Sequence, residues 1–205
     1  MITESFGLFL LSAAGISLSG VMLPGPLTAA TITKGYHNGN AGIFIALGHA
    51  VVEVPLMAAI YLGFARFFVY PQVKTAIGLA GGLMLIVMGL MVVRNLRRSH
   101  NNPVDLPYNS LVTGIVMTGA NPYFFVWWAT IGIALIATAA SFGLIGLLIF
   151  AVVHWSCDLA WSEFISISVF RTKHLWTRKV EIIVFSICAS VLIGFGIWFC
   201  ISVFS

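Results

Sequence analysis

The sequence predicts an all-α integral membrane protein: six transmembrane helices forming two inverted three-helix repeats, with helices one and four broken at proline. Three observations carry that prediction. Hydrophobic residues fill 60% of the 205 positions and charged residues only 8%, against roughly 25% charge in a soluble domain. Mean hydropathy is +1.05. Six apolar stretches reach the length of about 20 helical residues that a hydrocarbon core about 30 Å thick requires. None alternates strictly as a membrane strand would, so helices must satisfy the backbone in lipid. So few charges cannot cover a surface in water. The composition therefore excludes a soluble enzyme, a disordered chain and a nucleic-acid-binding domain.

The stretches follow in order. The first covers 6–32; it lacks a basic leader and is too long for a signal peptide, so it reads as a permanent span. The others cover 41–67, 75–93, 110–137, 142–169 and 180–204. The chain 1–205 reads as a single transmembrane domain. Repeat one takes about 1–97, a connector about 94–108, and repeat two about 109–205. Asn101-Asn102-Pro103 is a turn signal within the connector.

The net charge of +4 is placed by topology. Loop one holds Lys34, loop three Arg94, Arg97 and Arg98, and loop five Arg171, Lys173, Arg178 and Lys179. The opposite loops hold Arg66 and Lys74. The excess of basic residues puts loops one, three and five in the cytoplasm of a cell membrane, with both termini outside. Arg66 and Lys74 are expected to snorkel to an interface. Cys157, Cys188 and Cys200 lie in apolar runs without a C-x-x-C pair, so they read as small apolar packers.

An odd number of spans per half requires the second half to insert upside down relative to the first. Inverted repeats of that kind place a binding site at the midplane. The unusual residues recur in matching places. Pro24-Gly25-Pro26 interrupts the first span and Asn121-Pro122 the fourth. Proline lacks the N–H for the helical ladder and forces its predecessor out of the helical region. Each restarted helix would present free N–H groups to an anion. A packing kink is the plain alternative.

The second span of each half carries a histidine four residues before a carboxylate: His49 and Glu53, then His154 and Asp158. Residues i and i+4 share a helix face. A carboxylate at mid-bilayer costs about 2.5–3.5 kcal/mol on insertion scales, so such groups line cavities or pair. Histidine beside them suits a proton relay. A buried hydrogen-bonded pair of purely structural purpose is the alternative. Glu163 is expected to be solvated at the interface. Tyr123, Trp127 and Trp155 are candidate cavity aromatics, as is Trp161, although packing explains each singly. Gly78/Gly82 and Gly15/Ser19 have the spacing of close helix contacts, within the chain or in a homodimer. Pro55 after Glu53 either unwinds its helix or kinks it. Zinc-protease, phosphate-loop and nucleophile-elbow motifs are missing. The expectation is therefore no enzyme and no cofactor.

Together Pro24-Gly25-Pro26, the series Gly35, Gly39, Gly42 and Gly48, Asn121-Pro122 and Asp158-Leu-Ala-Trp161 resemble the lysine exporter (LysE/RhtB) family of amino-acid exporters. The resemblance implies six helices, inverted repeats and proton-driven efflux of amino acids. It also implies that Pro24, Gly25, Pro26, Asn121 and Pro122 shape the substrate site. Two departures bear on the substrate. Tyr123 stands where many members have lysine, and the paired histidines are no general family feature. The expected partners are a small amino acid or similar zwitterion, protons and the lipid bilayer. A divalent metal cation held by His49, Glu53, His154 and Asp158 is the competing cargo. A membrane-embedded enzyme or structural subunit is a third class, without a motif to carry it.

Overall fold

Every regular element is helical among the described residues, which in this computed structural model are 5–23, 25–64, 70–98 and 105–202. The side chains of Lys74, Ile77, Asn95, Arg97 and Arg98 lie outside that description, as do Pro24, Arg66 and the Asn101-Asn102-Pro103 turn. Helix α1 (Phe6–Val21) opens on Ser5, whose hydroxyl accepts from the Leu8 N–H at 3.3 Å. Helix α2 (Pro26–His37) follows at 76° to it. The bend has a local cause. Pro26 occupies the first turn of α2, where its missing N–H costs nothing. Gly25 before it is fully extended, at φ −159° and ψ −171°.

The second half breaks differently. Helix α5 (Ser110–Gly119) is short, and Asn121 then caps α6 (Pro122–Trp127) by accepting from the Tyr123 N–H at 3.1 Å. A π turn (Trp128–Gly132) leads into α7 (Ile133–Ser141). The membrane-length segment is Pro122–Ser141, not 110–137 as expected. Asn121 and Pro122 supply a complete helix start, so the chain begins a new helix there rather than bending an old one.

Four long helices complete the bundle: α3 (Ala41–Tyr61), α4 (Pro71–Arg98), α8 (Gly143–Thr172) and α9 (Arg178–Ser202). With Pro122–Ser141 they make five apolar helices of spanning length, and the bent α1–α2 pair would make a sixth if it crosses as one broken span. Helix α3 runs uninterrupted through Pro55.

Helix α3 packs between α5 and α8, α4 lies along α9, and α2 rests on α8 and α9. Glycines permit the closest crossings. A Cβ on Gly48 would lie 2.1 Å from the Leu111 carbonyl of α5, and one on Gly114 would lie 2.2 Å from the Ile45 carbonyl of α3. At Gly42 the obstruction is the α8 backbone, 2.3 Å away at Ser162. Gly82 meets Gly196 of α9 in the same way, at 2.6 Å. A Cβ on Gly15 would meet nothing within 4 Å, so the Gly15/Ser19 pair marks no close helix contact among the described residues.

Two apolar clusters result. One gathers Ala30, Leu85, Met88, Phe185 and Leu192 from α2, α4 and α9. The other gathers Phe9, Leu56, Phe124, Trp128 and Phe150 from α1, α3, α6, α8 and the π turn. Leu11, Val51, Ile145, Val152 and Ile183 are exposed on the outside of the bundle, as lipid contact requires. All three cysteines are free, with Cys157 and Cys188 buried.

Loops one, three and five meet on one face. Lys34 belongs to α2 rather than to a solvated loop, and its buried ammonium pairs with Asp105 at 2.8 Å. It also donates to the Leu106 carbonyl at 3.0 Å. The Tyr36 hydroxyl donates to Glu181, and Lys173 donates to the Tyr36 carbonyl at 2.8 Å. These bonds tie the end of α2 to both other connectors.

Candidate functional site

His49 and Glu53 of α3 and His154 and Asp158 of α8 meet in one place. The Gly48–Gly114 crossing sets His49 against α5, where its Nδ1 lies 2.8 Å from the Thr118 hydroxyl. On the other flank His154 Nδ1 lies 2.7 Å from the Ser17 hydroxyl of α1. Each hydroxyl already donates its proton to the carbonyl four residues back: Ser17 to Ala13 at 2.7 Å, Thr118 to Gly114 at 2.8 Å. A hydroxyl has one proton. Both therefore accept from the imidazoles, so Nδ1 carries hydrogen in both histidines and Nε2 faces inward.

Both Nε2 atoms converge on the same oxygen. Glu53 Oε1 lies 3.0 Å from His49 Nε2 and 3.1 Å from His154 Nε2. Asp158 stands further off, at 3.7 Å from His49 Nε2 and 3.6 Å from His154 Nε2. All four side chains are buried. Glu53 Oε2 and Asp158 Oδ2 have no hydrogen-bond partner among the described residues. Buried oxygens of that kind call for a ligand, ion or water.

A protonated carboxyl can donate to only one of two neighbours. If Glu53 is ionised, each Nε2 must carry hydrogen to face its oxygen. Two imidazoliums and two carboxylates then sum to zero charge. Each proton lost leaves the cluster one unit more negative and sets a bare Nε2 against the Glu53 oxygen. Only an incoming cation or proton donor relieves that contact.

The cluster forms one wall of a cavity of about 410 Å³. Both helix breaks reach it, through Gly25 and Pro26 on one side and Asn121 on the other. Pro122 stands behind Asn121 and does not line it. Aromatic rings form much of the remainder. Trp128 meets His154 edge-on at 4.9 Å between ring centres, and Phe124 meets His49 at 5.2 Å. Tyr123, Trp127, Trp161 and Trp198 also line the cavity.

Trp155 does not. Its indole N–H donates to the Ala46 carbonyl at 3.0 Å, which fastens α8 to α3 away from the cavity. Glu163 is likewise engaged, accepting from the Ile43 N–H at 3.0 Å in the first turn of α3. A free backbone donor at a helix start is a better partner for a carboxylate than interfacial water. Sequence reasoning did not single out Ser17 and Thr118. Serine and threonine bond back to their own helices so often that nothing in the linear pattern marks these two.

A family model described as "LysE type translocator" matches residues 18–203. A Bacillus subtilis (strain 168) protein named "Putative amino acid efflux protein YcgF" is 29% identical over 196 residues, covering 90% of each chain. No solved structure matches the chain. A bundle of membrane-length helices around an internal cavity, matched along most of its length by that model, belongs to the LysE type translocator family.

Proposed function

We propose that the chain is a secondary exporter of an amino acid, coupled to protons at Glu53 and Asp158 and working by alternating access between two inverted repeats. One observation carries the reading: both helix breaks and the His/carboxylate cluster line the same cavity. The name of the Bacillus relative supports an amino acid as cargo. In the loaded form a substrate ammonium replaces a departed proton beside the carboxylates. The substrate carboxylate lies toward the breaks. Release of the ammonium lets protons return to the imidazoles. The basic face that Lys34, Lys173 and Arg178 share would be cytoplasmic. Pairing of α3 with α8 and α4 with α9 suits two halves rocking about a midplane site.

Reconstituted protein should show amino-acid flux that responds to an imposed pH gradient. Glu53→Gln should retain exchange but lose that response. Wild-type flux indifferent to the gradient would remove the proton role.

A specific observation also favours a divalent cation as cargo. One ligand atom each from His49, Glu53 and Asp158 lie within 4.8 Å of one another. The Nδ1–H groups are tied back to hydroxyls, as second-shell partners orient metal-bound histidine. Growth of a host on toxic amino acids and on toxic metals, with and without the chain, separates the two cargoes. Metal resistance abolished by His49→Ala would decide for the cation.

A further inference from the structure

Resting on the amino-acid reading above, we infer that the cargo is an α-amino acid with one ammonium, one carboxylate and a bulky apolar side chain, read at its charged end by Asp158 and Trp161. Three features of the cavity lead there.

First, no lysine or arginine lines it among the described residues, and both imidazoles already face Glu53, so a neutral donor is left to receive a carboxylate. The Trp161 indole N–H is buried, lines the cavity and has no acceptor among the described residues. A buried donor left unmade is costly, and a ligand oxygen would satisfy it. Second, Asp158 Oδ2 is the matching orphan acceptor. Trp161 follows it by three positions, so the two side chains rise from one face of α8 about 4.5 Å apart along the axis. An α-amino acid carries its ammonium and carboxylate on the same carbon, and that spacing lets one molecule meet both.

Third, among the described residues the cavity offers one place for a cation and not two. Glu53 and Asp158 share the same two imidazoles. The second ammonium of a lysine would lie too far along its chain to join them. It would rest instead among Phe124, Trp127, Phe195 and Trp198, which line the same cavity, and burying a charge without a partner is unfavourable. Glycine would leave the aromatic walls wet.

The test uses the full chain in proteoliposomes and measures counterflow of labelled phenylalanine, leucine, lysine and glycine. Phenylalanine and leucine should exchange about tenfold or more faster than lysine and glycine, the scale of one unpaired buried polar group or of missing methylenes in an apolar pocket. Phenethylamine, which lacks the carboxylate, should inhibit wild type about tenfold more weakly than phenylalanine. Trp161→Phe keeps the ring and removes the donor. It should raise the KM for phenylalanine about tenfold and leave phenethylamine inhibition unchanged. Lysine or glycine moving as fast as phenylalanine would overturn the inference while the exporter reading stands. So would equal loss of both ligands in Trp161→Phe. Should that variant fail to fold, the wild-type comparison of the two ligands still decides. If none of the amino acids moves, the exporter reading itself falls.

Discussion

Helices α3 and α8 each carry a histidine four residues before a carboxylate, yet the two carboxylates end in different chemistry. Glu53 reaches both Nε2 atoms, at 3.0 and 3.1 Å, with a single oxygen. Asp158, one methylene shorter, stops at 3.6 and 3.7 Å, beyond hydrogen-bond distance of either imidazole; each acid keeps one buried oxygen without a hydrogen bond among the described residues. The same spacing thus yields one acid bonded to both imidazoles and one bonded to neither, which in the proposed site is the acid open to a ligand. The lesson is that symmetry of motif does not imply symmetry of role; side-chain length divides the work.

The largest effect should come from removing the open acid. Asp158→Asn should cut exchange at low substrate about a hundredfold, the scale of a lost charge-assisted bond, with the protein still monodisperse. Comparable loss from Glu53→Gln but not from Asp158→Asn would reverse the assignment. Next comes length itself. Glu53→Asp withdraws the oxygen from both imidazoles and should lower the flux driven by a pH gradient about tenfold, as misplacing a proton-transfer group does. If that variant matched wild type, the contrast between the two acids would lose its cause.

Ser17→Ala and Thr118→Val probe the hydroxyls that hold Nδ1–H. Each should lower the unfolding free energy by about 1 kcal/mol, read by thermal unfolding in detergent, and should shift the pH profile of transport. An unchanged profile would leave the hydroxyls purely structural. Trp155→Phe should have the smallest effect. It removes one bond to the Ala46 carbonyl, about 1 kcal/mol of stability, and leaves flux as it was. A clear loss of flux would place Trp155 back in the cavity.

The two breaks make a second contrast. Gly25-Pro26 bends one span by 76°, whereas Asn121-Pro122 ends a short helix and starts a long one. Both were visible as prolines in apolar runs. Which would bend and which would restart was not, because that depends on whether a side chain caps the new helix. Asn121 does so, and Gly25 has no side chain to offer. Ionisable residues inside spans were equally legible, since His49, Glu53, His154 and Asp158 stand out against apolar neighbours. Their partners were not. Ser17 lies 137 positions from His154, and Thr118 lies 69 from His49.

By itself, then, the order of residues determined that this chain is a helical membrane protein, where prolines start its helices anew and which buried groups are ionisable. Those follow from the transfer of side chains to lipid and from proline's missing N–H, which act locally. Only the tertiary structure decided that two acids share two imidazoles, that Trp161 faces the cavity while Trp155 clasps a neighbouring helix, and that Lys34 is buried in an ion pair. Such outcomes depend on which backbones glycine allows to touch, and that is settled between helices rather than along them.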